Sequence, residues 1–345
     1  MLYKEYIRII QLAVHKVGNK LKGEGVFTTK DSIEIDKFLE VDLLNYFLSS
    51  FKTDEYYNFF HESDLKYNEV YSYIKEIFAQ PKDLITYSVV LAKHLYEKSM
   101  HSKIKEGEFY VVYFKDCIVN GETIDAVGLF KSENKDTFLK VLSDNKKIII
   151  ESQKGININK LDKGAIIFNL NSENGYMVSL VDNTNKGAEA HYWVDDFLHV
   201  RPCKDGYYNT QNLMVLTKNF VTKELPKTFD VSKVEQLDLI NKITKFFKEK
   251  NVFNINEFEN EVISQPEIIN KFNQYKNAYE IEQDIEILEN FNISAQALKK
   301  QLRSFKNVIK LDKNFHIYVH GDKKLIEHGE DDKGKFYKFY YREEQ

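Results

Sequence analysis

The sequence predicts an α+β fold: an antiparallel β meander with flanking helices, then a helical segment and a small carboxy-terminal β element. Three observations carry this. Apolar residues recur at helical spacing in the first hundred positions. Between residues 109 and 181 the period shortens to that of strands, with Asn120-Gly121 and Asn174-Gly175 at tight turns. After Pro226 the helical period returns.

Taken in order, residues 7–17 read as a strand or a buried irregular segment that Gly18 ends. Residues 36–51 read as a helix capped by Asp36, with Phe38, Val41, Leu44, Tyr46 and Leu48 on its apolar face. A second helix spans 69–78. Pro81 starts a third, whose buried stripe is Leu84, Tyr87, Val90, Leu91 and Leu95. Segments 109–114, 118–126, 127–131, 147–151, 165–170 and 176–181 form a meander of five or six strands, because short connections favour antiparallel neighbours. Residues 232–248, 257–263 and 267–279 are helical, the last opened by a capping box at Ser264 with Pro266 in its first turn. Residues 281–288 read as another short helix. Strands at 308–311, 315–319 and 335–341 close the chain. The domains expected are 1–225, carrying the sheet, and 226–345, helical with a basic helix and a β hairpin.

The chain has 345 residues, 43% hydrophobic and 30% charged, with only 4 Pro, a globular composition. Two cysteines far apart in sequence, Cys117 and Cys203, make no disulfide framework and point to a reduced, cytoplasmic setting. The first twenty residues are too charged for a signal peptide, and no stretch approaches a membrane span. The net charge is −4, but from Gln296 onward twelve Lys and Arg face eight Asp and Glu. The tail is thus basic by four and the remainder stands at −8.

Residues 294–310 lay two stripes along one helix. Leu298, Leu302, Phe305 and Ile309 recur at offsets of zero, four, seven and eleven, and Lys299, Arg303, Lys306 and Lys310 repeat the rhythm one residue later. One stripe can bury itself while the other offers positive charge to a phosphate backbone. The competing reading is a solvated lysine face. Residues 307–311 alternate like a strand, so the helix is expected to stop near Lys306 and to leave Lys310 off the stripe.

Signatures of nucleotide, hydrolase or zinc chemistry are missing from the sequence, and no cofactor or metal is expected. His191, Asp195, Asp196 and His199 lie within nine residues, but the histidines are two helical turns apart, and Trp193, Phe197 and Leu198 mark this as an anchoring segment. Asp116, Glu122, Asp125 and Lys131 sketch a restriction-type nuclease site, but Leu129 stands where the metal-binding Glu is required. Lys98, His101, Lys103 and Lys105 form a basic turn that reads equally as phosphate contact or as an exposed loop. Cys117 reads as a small buried hydrophobe.

Several strings resemble the bacterial nucleoid-associated proteins of the NdpA/YejK type. They are Ala13-Val-His-Lys-Val-Gly-Asn19, Ala92-Lys-His-Leu-Tyr-Glu-Lys-Ser-Met-His101 leading into Gly107-Glu-Phe-Tyr-Val-Val-Tyr-Phe114, and Gly128-Leu-Phe-Lys-Ser-Glu133. Asp162-Lys-Gly-Ala-Ile-Ile-Phe168, Tyr192-Trp-Val-Asp-Asp-Phe-Leu198 and Val308-Ile-Lys-Leu-Asp-Lys-Asn-Phe-His-Ile-Tyr-Val-His320 complete the set. The resemblance implies a nucleoid location and DNA association without catalysis; it assigns no phosphate-contacting residue. From the charge pattern, sequence-tolerant binding of double-stranded DNA is expected through Lys299, Lys300, Arg303, Lys306, Lys313 and Lys338. A second copy of the chain is a further expected partner, and a membrane is not. The alternatives are a scaffold brought to the nucleoid by a partner, and a diverged metal-dependent nuclease.

Overall fold

The computed structural model describes residues 4–119, 121–144, 147–184, 192–305, 308–311, 314–318 and 325–343. The chain divides into two compact units, Met1–Cys203 and Lys204–Gln345. The first contains β1 (Arg8–Val17), β2 (Val26–Phe27), α1 (Lys37–Leu48), β3 (Tyr56–Phe59), α2 (Glu69–Ala79), α3 (Leu84–Lys98), β4 (Gly107–Val119), β5 (Glu122–Ser132), β6 (Asp136–Asp144), β7 (Lys147–Gly155), β8 (Lys163–Phe168), β9 (Met177–Asp182) and β10 (Val200–Pro202). The class is α+β. Eight strands form one sheet in the order β10-β3-β9-β8-β5-β4-β1-β2, with every neighbouring pair antiparallel.

The expected meander is the centre of this sheet, β4-β5-β8-β9. Val119 pairs with Glu122 across a two-residue turn in which Gly121 has φ 85°, the conformation a tight hairpin demands; Asn120 lies outside the described residues. Gly175 is equally constrained, because at φ +88° a Cβ would sit 2.3 Å from the Phe59 carbonyl oxygen. Residues 147–151 fall on β7, which leaves the sheet and, among the described residues, pairs only with β6.

Side-chain alternation gives the sheet two cores. Phe109, Val111, Tyr113, Val127, Leu129, Ala165 and Ile167 belong to a cluster with Ile74 and Ile77 of α2, Leu91 and Leu95 of α3, and Trp193 and Phe197. Tyr110, Val112, Phe114, Ala126, Phe130, Ile166 and Phe168 join Leu44, Tyr46, Phe47 and Leu48 of α1, where Phe47 stacks on Phe130 at 4.3 Å. Only the second half of α1 reaches this core. Phe38 and Val41, expected on its buried face, are exposed, although Glu40 between them accepts from the Ile9 N–H of β1 at 2.9 Å. Pro81 opens a short 3₁₀ turn, Pro81–Asp83, from which α3 starts.

The second unit holds α4 (Gly206–Asn219), α5 (Leu225–Thr228), α6 (Lys233–Glu249), β11 (Val252–Asn254), α7 (Ile255–Phe258), α8 (Pro266–Gln283), β12 (Asn290–Asn292), α9 (Ala295–Leu302), β13 (Val308–Leu311), β14 (Phe315–Tyr318), β15 (Ile326–Asp331) and β16 (Gly334–Phe339). Its helices bury an aromatic core in which Phe253 stacks on Phe247 at 5.7 Å and on Phe291 at 5.0 Å. Although α4 precedes residue 226, its Leu213, Met214 and Leu216 belong to this cluster.

Three local expectations change. Ser264 does not cap α8: it ends a π turn with φ 61°, its hydroxyl donates to the Ile263 carbonyl, and Gln265 takes the cap position ahead of Pro266. The short helix expected over 281–288 is instead the end of α8, stopped by Asp284 at φ 51° and followed by residues 285–288 without regular structure. The terminal β element is two separate hairpins, β13-β14 and β15-β16.

Two buried polar groups yield predictions. Thr29 N–H donates to His15 Nδ1 at 3.2 Å, so the ring is neutral and its Nε2–H faces Ser88 Oγ at 2.9 Å. Burial pushes the His15 pKa down from 6.5 to about 4. As pH falls through that window the unfolded chain takes up a proton that the native chain refuses, so stability present above pH 6.5 is lost by pH 4, up to about 3 kcal/mol. Thermal melts across this range should show His15→Gln with a flatter pH dependence than the parent; identical curves would refute the assignment. In register, β5 and β8 set Lys131 beside Lys163, both fully buried. Lys131→Met should cost about 3–5 kcal/mol in urea unfolding by stranding Glu133, and Lys131→Met/Glu133→Gln should recover part of it.

Candidate nucleic-acid interface

Helix α9 begins where the Ser294 side chain accepts a hydrogen bond from Ala297 N–H at 3.3 Å; the Ser294 N–H donates to Thr210 Oγ1 of α4 at 3.0 Å. Ala297 is buried, and Leu298, Leu302 and Phe305 pack against the core of the second unit. The helix ends at Leu302, earlier than expected, and Lys310 lies on β13, off the stripe. Past Leu302 the backbone tightens into turns, with Ser304 N–H donating to the Gln301 carbonyl at 2.8 Å and Phe305 N–H to the Leu302 carbonyl at 3.1 Å, and the strand pairing of 308–311 with 315–318 follows.

The six expected cations separate. Lys299 and Arg303 are exposed, one turn apart, and among the described residues neither has an ion-pair partner. Lys300 turns aside: its ammonium lies 3.1 Å from the Tyr207 hydroxyl and 5.5 Å from that ring's centroid. Lys338 is on β16, off the helix, 3.7 Å from Glu327 and 4.9 Å from the Tyr340 ring centroid; its pKa is raised mainly by the Tyr340 hydroxyl, then by Glu327. Lys306 and Lys313 lie outside the described residues.

Two further cations were not anticipated from the sequence. Lys218, on α4, places its ammonium 5.9 Å from the Phe305 ring centroid, just beyond the end of α9. Burial lowers its pKa, and the charge of Lys223 lowers it further. Lys223 is exposed, whereas Glu224 beside it is committed to Lys227 at 2.9 Å and Lys271 at 3.1 Å. A five-residue interval and a separation from the start of α9 of 77 and 72 residues hide this pair from any periodicity. The chemistry available to the charged forms of Lys299, Arg303, Lys218 and Lys223 is charge-assisted hydrogen bonding to an anion.

The other constellations assemble into structure. Tyr192, Trp193, Phe197 and Leu198 are buried as anchors, Asp195 and Asp196 are exposed, and His199 pairs with Glu62 at 3.4 Å; His191 lies outside the described residues. Asp116 pairs with Arg8 at 2.6 Å and Asp125 accepts from the Tyr113 hydroxyl at 2.7 Å. Lys131 is six residues from Asp125 on the same strand, roughly 20 Å away at strand rise, so no nuclease-like cluster forms from these residues. In the basic turn the Asn19 amide donates to the His101 and Ile104 carbonyls at 2.8 Å, and Lys105 reaches Asn134 at 2.6 Å. Cys117 is buried, and burial pushes its thiol up to about 12. Among the described residues no group of three or more His, Cys, Asp or Glu could hold a metal ion, and no helix is long and apolar enough to cross a membrane.

No curated protein matches this chain. The family described as nucleoid-associated protein YejK matches residues 13–336, nearly the whole length, and the chain belongs to that family.

Proposed function

We propose that this protein associates directly with double-stranded DNA, without sequence preference, at the bacterial nucleoid, and performs no chemistry on it. The observation that carries this reading is the division of labour on α9: Leu298, Leu302 and Phe305 face the core while Lys299 and Arg303 stand exposed and unpaired by any described acid. Lys218 and Lys223 extend the positive face beyond the end of the helix. Phosphate contacts of this kind position a protein on the duplex without reading bases, and released counterions supply the affinity. Family membership supports the nucleoid setting.

The net charge of −4 favours a second reading, a scaffold held at the nucleoid by a partner. Filter binding of duplex DNA at low salt separates the two, since retention by the pure protein requires direct contact. With four cations on phosphate, log K should fall against log salt with a slope of about −3 to −4, at about −0.9 per contact. Lys299→Gln/Arg303→Gln should flatten that slope by about 2 units, and Lys218→Gln/Lys223→Gln by a similar amount, each alike on unrelated sequences. An unchanged slope in both variants discards this face.

A further inference from the structure

The β6-β7 ribbon is exposed where an isolated ribbon should not be. Nine register pairs, Asp136↔Gly155 to Asp144↔Lys147, join its strands, and among the described residues it belongs to no larger sheet. Residues opposite one another share a face, so Leu139, Val141, Ile148 and Ile150 all point one way. They are 68%, 61%, 74% and 64% exposed. A lone two-stranded ribbon is at best marginally stable in water, and an apolar face on an unpaired edge is a template for another strand.

We infer that the occupant is a second copy of this chain, joined through antiparallel pairing of β7 with the partner copy's β7 about a two-fold axis at Ile149. The segment Lys147-Ile-Ile-Ile-Glu151 is self-complementary in that arrangement. Ile148 lies opposite the position-150 isoleucine of the other copy on the apolar face. Lys147 lies opposite the position-151 glutamate on the other face, and the axis repeats both contacts. Competing registers lack this. Centring β7 on Glu151 sets glutamate against glutamate. Pairing β6 with itself over its full length centres on Lys140 and sets lysine against lysine, with Asp136 against the position-144 aspartate. Like charges directly opposite are destabilising, so charge selects both the strand and the register. The product is a four-stranded antiparallel sheet shared by two chains, with eight aliphatic side chains on one face.

Sedimentation velocity of the full chain over a concentration series tests this, with circular dichroism to confirm folding. A monomer–dimer equilibrium is expected. Lys147→Glu should raise the dimer dissociation constant at least tenfold, and so should Glu151→Lys. Lys147→Glu/Glu151→Lys should return it to within about threefold of the parent, because each glutamate again meets a lysine across the axis. That rescue cannot come from within one ribbon, where a lysine at position 151 would lie opposite Lys140. In a Cys203→Ser background, Ile149→Cys should give a disulfide-linked dimer under mild oxidation. A monomer at every concentration, a dimer indifferent to the single reversals, or a double reversal as weak as the singles would each overturn the inference.

Discussion

The first unit depends on the way two buried lysines are neutralised. Lys131 and Lys163 sit side by side on neighbouring strands, where unpaired charges would repel each other and forfeit their hydration. Each has its own carboxylate. Lys163 bonds both Asp182 oxygens at 2.9 and 2.8 Å and Thr184 Oγ1 at 2.6 Å, while Lys131 bonds Glu133 at 3.1 Å and the Lys105 carbonyl at 3.0 Å. Both ammonium groups lie near the face of Tyr192, at 5.5 and 5.1 Å, and its hydroxyl donates to Glu133 at 2.6 Å. Burial lowers the Lys131 pKa, opposed chiefly by Glu133, and raises that of Tyr192 well above its ordinary value.

That network fixes where the segment 192–198 meets the sheet, and the segment in turn supplies Trp193 and Phe197 to the core under Phe109. Its far end is tied by Asn68, whose amide donates to the Phe60, Leu198 and His199 carbonyls, each at 3.0 Å, while its oxygen caps α2 through Tyr71 N–H. Ion pairs at one end and amide bonds at the other hold a π-helical turn that its own sequence would not stabilise. The anchoring residues of this segment, Trp193, Phe197 and Leu198, thus perform structural work, while Asp195 and Asp196 stand exposed.

Lysine serves four different ends in this chain. It is internal at Lys131 and Lys163, folded onto an aromatic ring at Lys300, matched to an acid at Lys338, and open to solvent at Lys299. The sequence interval between cations carries none of this information, because the outcome depends on which acids and rings the fold brings within reach. The same holds for apolar residues. Isoleucine is core at Ile166 and water-facing at Ile148, though both lie in strands of high β propensity.

The sequence by itself determined the α+β class, the central antiparallel strands with their Gly121 and Gly175 turns, the helices α2, α3 and α6, and the two-sided character of α9. Each rests on local physics, either a period of two or 3.6 or a turn that needs positive φ. Tertiary structure alone decided that β6 and β7 leave the sheet, that Phe38 and Val41 stay wet, that α9 stops at Leu302, and that Lys218 stands near its end. These outcomes turn on pairing and burial between residues tens of positions apart, where the free energy of a contact depends on its surroundings and not on the spacing that announces it.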